Sequence, residues 1–195
     1  MLSLVLTMLT CLVLGMGIPT IPNYIITSSL AGPALLALDV PLIVSHMFVF
    51  YFGIMADLTP PVALACFAAA PMAKVSGLRI SLQATKLALA GFVVPFMAVF
   101  TPSLMLQDGG PMAAALGYPV EVAYIVVKVC VAIGLFGAAV VGFLKGPMAA
   151  WERVLAAAAA IALVAAVPWT DAVGFALAAV VAVVQFRRPA PVAPA

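Results

Sequence analysis

The segment Tyr51-Phe52-Gly53-Ile54-Met55-Ala56-Asp57-Leu58-Thr59-Pro60-Pro61-Val62 places a carboxylate, a threonine and two consecutive prolines inside an apolar stretch. This stretch runs from about Met47 to Met72, which is long enough to cross a bilayer, since roughly 20 helical residues suffice. Pro60 and Pro61 lack amide protons and their rings clash with the preceding turn, so the helix must break there. Broken backbone at bilayer depth is tolerated only where protein buries it or where it lines a wet cavity. We therefore predict a broken transmembrane helix over residues 47–72.

The composition is that of a membrane protein. The chain is 67% hydrophobic and 7% charged, whereas about 25% of the residues of a soluble domain are charged. The cysteines Cys11, Cys66 and Cys130 lie in apolar stretches without metal-ligand or disulfide spacing, which predicts buried small hydrophobes. No phosphate-binding loop, metal-ligand cluster or nucleophile with a base is present in the sequence. We expect neither an enzyme nor a nucleic-acid-binding protein, and no cofactor.

Two short apolar segments precede the broken helix. The first runs from about Leu2 to Leu14, and the second from about Asn23 to Leu38. A Gly/Pro-rich run, residues 15–22, separates them. Because each segment is too short for a comfortable span, we predict that residues 2–38 form a re-entrant helical hairpin with its tip near the bilayer midplane.

The remaining apolar segments predict about four further transmembrane helices. They run over about Leu87–Leu106, Val122–Leu144, Val154–Val167 and Ala172–Phe186, the last two being short and alanine-rich. Val75–Thr85 reads either as a short interfacial helix or as a polar connector. The predicted fold class is thus an all-α integral membrane protein with one hairpin, one broken helix and these further spans. Residues 189–195 form a Pro/Ala tail that we predict to be disordered.

Charged residues fall on two faces of this arrangement, and cytoplasmic loops carry the excess of lysine and arginine. One face holds the cations Lys74, Arg79, Lys86, Lys145, Arg153, Arg187 and Arg188, so we predict a cytoplasmic C-terminus. The other face holds the acids Asp39, Asp108, Glu121 and Asp171. Asp57 and Lys128 remain in the membrane. Lys128 lies two helical turns after Glu121, which predicts a pair with Glu121 if the lysine extends outward.

Interrupted hydrophobic segments indicate the binding site in secondary transporters. A break frees carbonyl oxygens for a cation, and the amides of a half-helix N-terminus favour an anion. The candidate oxygen ligands are the carbonyls of Ala56 and Val62 and the hydroxyl of Thr59 at the break. Gly15, Gly17 and Thr20 in the hairpin complete the set. The alternative is a proline kink filled by neighbouring side chains.

Asp57 has two functional interpretations. Its carboxylate can balance a bound cation, or it can carry a proton across the membrane. The alternative is an N-cap of the second half-helix, a position that suits Asp and Thr ahead of Pro-Pro. Capping also places the side chain at the break, so the two interpretations are compatible.

Three stretches resemble a known family: Leu14-Gly-Met-Gly-Ile-Pro-Thr20, the run from His46 to Ala65 around the double proline, and Lys86-Leu-Ala-Leu-Ala-Gly-Phe-Val-Val-Pro-Phe96. Residues 1–106 resemble the large permease subunit of tripartite ATP-independent periplasmic (TRAP) transporters. Within it they are most similar to the fused permeases that work with an immunogenic-protein-type (TAXI) substrate-binding protein. Residues 107–188 resemble, more loosely, the C-terminal transmembrane extension of the fused permeases.

The resemblance implies an elevator-type secondary transporter, a multi-pass protein of the bacterial inner membrane. Such a permease imports small organic acids delivered by a periplasmic binding protein, driven by a sodium or proton gradient. The family's cation site, between the second hairpin and the second broken helix, carries over to Gly15, Ala56, Thr59 and Val62. Ala56 replaces a glycine of many relatives, and Asp57 also departs from the sodium-coupled ones, which leaves the coupling ion open.

The resemblance covers only the second of the two inverted repeats that such permeases contain. We therefore expect a C-terminal fragment or one product of a split gene, whose partner supplies the missing N-terminal half. Alone, the chain is expected to transport nothing. The alternative from another class is a non-transporting membrane scaffold or assembly subunit, but a scaffold has no need of Asp57 beside a double proline.

Overall fold

The computed structural model describes residues 2–107, 109–165 and 167–187, and all the regular elements in them are helical. The predicted tail, residues 189–195, lies outside the described residues. The α-helices, in chain order, are α1 (Leu2–Leu14), α2 (Thr20–Leu36), α3 (Leu42–Met55), α4 (Leu64–Ala73), α5 (Gly77–Ala88), α6 (Val93–Phe100), α7 (Pro111–Leu116), α8 (Tyr118–Val141), α9 (Ala150–Val164) and α10 (Pro168–Arg187). Two 3₁₀ turns, Leu89–Phe92 and Pro102–Met105, flank α6.

The first two helices form where the sequence predicts them. They are 13 and 17 residues long and pack against each other across a turn at residues 15–19. α2 begins at Thr20 rather than Asn23, because the first turn of a helix tolerates a proline such as Pro22.

The predicted break in the next segment is confirmed. α3 ends at Met55 and α4 begins at Leu64, so residues 56–63 interrupt the helix around the double proline. α4 restarts after Ala63, which has a left-handed φ of 40°. α3 starts at Leu42, ahead of the predicted Met47, because no helix-breaking residue separates the two positions.

Of the two interpretations of Val75–Thr85, the structure supports a helix, α5 (Gly77–Ala88), but this helix is not separate from the predicted span Leu87–Leu106. α5, the first 3₁₀ turn and α6 form one continuous rod, Gly77–Phe100, of 24 residues. The polar residues of α5 are good helix formers, so a change from polar to apolar composition does not end the helix. The rod ends ahead of the predicted Leu106, because Thr101 turns the chain with a φ of −135° and Pro102 follows.

Among the described residues, three helices are long and apolar enough to cross a membrane: Gly77–Phe100, Tyr118–Val141 and Pro168–Arg187. α1, α3 and α4 are shorter apolar helices, and α9 has 15 residues. Cys11 and Cys66 are buried as predicted, but the prediction is wrong for Cys130, which lies on an exposed face of α8. On a membrane helix, lipid can cover such an apolar face.

Two hydrophobic clusters both include residues of the rod Gly77–Phe100. The first joins α1, α2 and α3 to α6, and its centre is aromatic: Phe52 meets Phe92 and Phe96 with ring centroids 5.3 and 5.8 Å apart. The second joins α6 to α8, α9 and α10 through many buried alanines, which let helices approach closely. Met97 belongs to the second cluster and its neighbour Ala98 to the first.

Candidate functional site

The turn after α1 packs directly against the C-terminal end of α3. A Cβ atom placed on Gly15 would lie 2.8 Å from the Cβ of Ala56 and 2.9 Å from the carbonyl oxygen of Gly53. Both distances are shorter than van der Waals contact, so only glycine allows this approach of two backbones. The two interrupted segments predicted from the sequence therefore meet.

A second contact lies beside the first. Gly17 has a left-handed φ of 77°, which favours glycine, and a Cβ placed there would lie 3.5 Å from Cγ1 of Val62. The structure thus brings four of the predicted residues together in two pairs, Gly15 with Ala56 and Gly17 with Val62. Thr20, the first residue of α2, is exposed.

The break leaves several carbonyl oxygens with spare capacity. Ala56 O accepts the amide of Thr59 at 3.2 Å, and Asp57 O accepts the amide of Ala65 at 3.2 Å. Across the described residues, the carbonyls of Gly15 and Val62 accept no hydrogen bond. A carbonyl oxygen has two lone pairs, so Ala56 O keeps one as well. Three of the four predicted oxygen ligands are therefore able to bind a further partner.

The hydroxyl of Thr59 is the fourth predicted ligand. It donates to the carbonyl of Met55, the last residue of α3, at 2.8 Å, and the residue is half-buried. Because the proton is used in this bond, the hydroxyl oxygen presents its lone pairs elsewhere.

The break is also tied to its neighbours. The carbonyl of Leu58 accepts the hydroxyl of Thr85 in α5 at 3.1 Å and the thiol of Cys66 in α4 at 3.8 Å. Thr85 was not predicted as part of the site. Nothing in the sequence distinguishes Thr85, one of several polar residues in a connector, from an ordinary surface threonine.

Asp57 does not cap α4. The N-cap of α4 is Ala63, which makes no side-chain hydrogen bond, so the N-cap interpretation is wrong. The loop at residues 58–62 separates the carboxylate from the start of the helix, and Asp57 instead accepts the amide of Ala65 through its main chain. Its Oδ1 is buried, and no group in the described chain donates a hydrogen bond to it.

Asn23 is a further residue of this junction that the sequence reasoning missed. It lies in the first turn of α2, is 1% exposed, and donates from Nδ2 to the carbonyl of Gly53 at 2.8 Å. A second polar bond joins the same two helices, between the hydroxyl of Tyr24 and Nδ1 of His46 at 2.8 Å. The available signal was an amide side chain inside an apolar segment.

The predicted pair between Lys128 and Glu121 is wrong. Nζ of Lys128 lies 2.6 Å from Oδ1 of Asp171 in α10, as an ionic contact rather than a directed hydrogen bond. Tyr124 donates to the other oxygen of the same carboxylate at 3.0 Å. Glu121 instead accepts the hydroxyl of Ser103 at 2.7 Å and the amide of Gly110. The position of α10, which packs mainly on α9 and which the sequence does not specify, decides the pairing.

A cavity of about 520 Å³ opens beside this ion pair. It lies between α7, α8 and the start of α10, and its lining combines Glu121, Lys128 and Asp171 with apolar side chains. The hairpin turn and the break do not contribute to it.

The family model described as "Tripartite ATP-independent periplasmic transporter, DctM component" matches residues 1–113. The chain belongs to this family. The match covers the hairpin, the break and the rod, so the resemblance to TRAP permeases is confirmed at the level of the family. The chain is thus a multi-pass membrane component of a TRAP transporter, a family that works with periplasmic binding proteins, and the scaffold alternative is not favoured.

The helices α8, α9 and α10 lie beyond the matched residues of this DctM protein. No curated protein and no solved structure matches the chain.

Proposed function

We propose that this DctM protein is the permease component of a secondary active transporter that imports small organic acids with the energy of an ion gradient. A TAXI-type periplasmic binding protein would deliver the substrate. Family membership supports the transport role. The observation that carries the proposal is the contact between the hairpin turn and the break, where Gly15 lies against Ala56.

The proposed cation site consists of the carbonyls of Gly15, Ala56 and Val62 and the hydroxyl of Thr59. Support comes from the spare lone pairs of these oxygens and from the close approach of the Gly15 backbone to α3. Unwound carbonyls of this kind coordinate sodium in secondary transporters. Asp57 adds a negative charge at the break, which favours a cation, or carries the proton if protons drive transport.

Gly17 and Thr20 are proposed to contact the substrate. Gly17 lies in the turn before α2 and Thr20 is the first residue of α2, and helix N-termini favour anions such as a carboxylate. An organic acid would therefore bind beside the cation, with the cation offsetting part of its charge.

The proposed arrangement in the membrane follows the charges. The lysine- and arginine-rich loops lie on the cytoplasmic side of the inner membrane, and the hairpin enters from the opposite side without crossing. Residues 1–106 act as the second inverted repeat of an elevator-type permease, and α8, α9 and α10 form its C-terminal extension. The first repeat would come from a longer form of the protein or from a split-gene partner.

A sodium titration tests the cation site. The purified chain in lipid nanodiscs is heated at rising NaCl with total salt held constant by KCl. Occupancy at 100 times the dissociation constant stabilises the folded state by about 2.7 kcal/mol. Thr59→Val should raise the sodium concentration at half-effect, whereas Thr7→Val, which removes a similar bond to the helix carbonyl of Ser3, should not. Equal titration curves for both variants would contradict the assignment.

An uptake assay tests transport and the coupling ion. Proteoliposomes that hold the chain alone should take up no organic acid, while those that also hold the first repeat and the binding protein should. Asp57→Asn should abolish the pH dependence of uptake if protons are the coupling ion. Uptake that still responds to pH in this variant would refute proton coupling through Asp57.

A further inference from the structure

The side-chain amide of Asn23 lies between the hairpin turn and α3. Its Nδ2 is 2.8 Å from the position that a Cβ on Gly15 would occupy, and its Oδ1 is 3.4 Å from the corresponding position on Gly53. The acceptor of the Nδ2 bond is a main-chain carbonyl, so the orientation of the amide is fixed: nitrogen toward Gly53 O, oxygen away from it.

The two ends of this amide differ in how well they are satisfied. Nδ2 makes a short bond to Gly53, while Oδ1 is buried and receives no hydrogen bond within the described part of the chain. A buried acceptor without a partner is destabilising, and native proteins rarely leave one without a reason. The oxygen therefore calls for a partner that the polypeptide itself does not provide.

The partner is more consistent with a cation than with a donor group of the protein. Asp57 lies in the break, next to Ala56, and its Oδ1 is likewise buried without a hydrogen-bond donor among the described residues. Two unsatisfied acceptors, one of them a carboxylate, thus belong to the two segments that meet at Gly15 and Ala56. An amide oxygen is not a base at physiological pH, so it can ligate sodium but cannot store a proton.

We propose that Asn23 couples sodium binding to closure of the hairpin turn on α3: its Oδ1 ligates the ion while its Nδ2 holds the carbonyl of Gly53. This inference rests on the proposed function and extends the proposed site by one side chain. A cation at Oδ1 withdraws electron density from the amide. It therefore strengthens the hydrogen bond from Nδ2 to the carbonyl of Gly53, because neighbouring polar contacts polarise each other. Opening of the turn then removes a ligand, so the ion leaves as the turn opens.

The test is a sodium titration of thermal stability in nanodiscs for the wild type and three variants. Asn23→Leu loses both ends of the amide and should raise the half-effect sodium concentration at least tenfold. Asn23→Asp keeps an oxygen and loses the donor, so it should still respond to sodium but melt at a lower temperature in potassium. Thr27→Val is the matched control, since it removes a buried bond to the main chain of the same helix and should leave the half-effect concentration unchanged.

The outcomes separate the two proposals. A wild type that does not respond to sodium overturns the proposed cation site and this inference together. A wild type that responds, with an unchanged half-effect concentration in Asn23→Leu, overturns the inference alone. If the leucine variant does not fold, Asn23→Ala, which also removes both ends of the amide, replaces it under the same criterion. In addition, hydrogen exchange of residues 15–19 in the wild type should be slower in sodium than in potassium, and equal exchange would refute the coupling.

Discussion

A methyl group added at Gly15 probes the contact between the hairpin turn and the broken helix. Its Cβ would lie under 3.0 Å from three heavy atoms: 2.8 Å from Ala56 Cβ, 2.8 Å from Asn23 Nδ2 and 2.9 Å from Gly53 O. None is the end of a long flexible side chain, so the turn must move away from α3. Gly15 is not among the glycines with a left-handed φ, and crowding is therefore the sole cost.

The expected loss in Gly15→Ala is that of an overpacked site, about 1–3 kcal/mol in the free energy of unfolding. For a chain of this size, such a loss lowers the melting temperature by about 2–12 °C. Gly32→Ala in α2 is the matched control, because a Cβ there meets no atom within 4 Å. The control should be neutral or more stable by up to about 1 kcal/mol, since alanine favours a helix.

Thermal unfolding in nanodiscs, followed by size-exclusion chromatography, measures both variants. Ala56→Gly in the Gly15→Ala background removes one of the three close contacts and should restore part of the stability. The double-mutant cycle should show a coupling above about 0.5 kcal/mol, the usual limit for independent sites. Equal stability of Gly15→Ala and Gly32→Ala, or strictly additive effects in the cycle, would refute the contact.

Two further predictions concern the C-terminal helices. Lys128→Met leaves the carboxylate of Asp171 without its cation and should lower the free energy of unfolding by about 3 kcal/mol, toward the lower end for a buried pair because Asp171 is 14% exposed. Adding Asp171→Asn should restore much of this loss, and an equal or larger loss in the double variant would contradict the pairing. Gly174→Ala places a Cβ 2.7 Å from Leu163 Cγ and should cost about 1–3 kcal/mol; the control Gly134→Ala, in open space, should not melt lower.

The sequence predicts those parts of the fold that depend on local chemistry. Proline rings break a helix wherever they occur, so the break at residues 56–63 follows from Pro60 and Pro61 alone. The hairpin follows from segment length and a Gly/Pro-rich turn. The sequence did not predict the continuity of Gly77–Phe100. A change from polar to apolar composition looks like the boundary of a helix, but the residues on both sides of it are compatible with a helix.

Side-chain partners depend on packing, which single-sequence reasoning does not supply. Lys128 has acids within reach in two directions, and the position of α10 selects Asp171 over Glu121. Asn23 contributes to the junction only because Gly53 and Gly15 let the two backbones approach its amide. The sequence predicts that the hairpin and the break meet. It does not predict which side chains form hydrogen bonds there, such as those of Asn23 and Thr85.

The pattern of hydrogen bonds and ion pairs divides the helices into two groups. Among the described residues, hydrogen bonds join α2 to α3, and a hydrogen bond and an ion pair join α8 to α10, but no such bond joins α1 or α2 to the α8–α10 group. Between these two groups lies an apolar cleft lined by Met8 and Ile161, with Phe96 of the rod at its side. The contacts across this cleft are dispersion contacts, and lipid tails can replace such contacts.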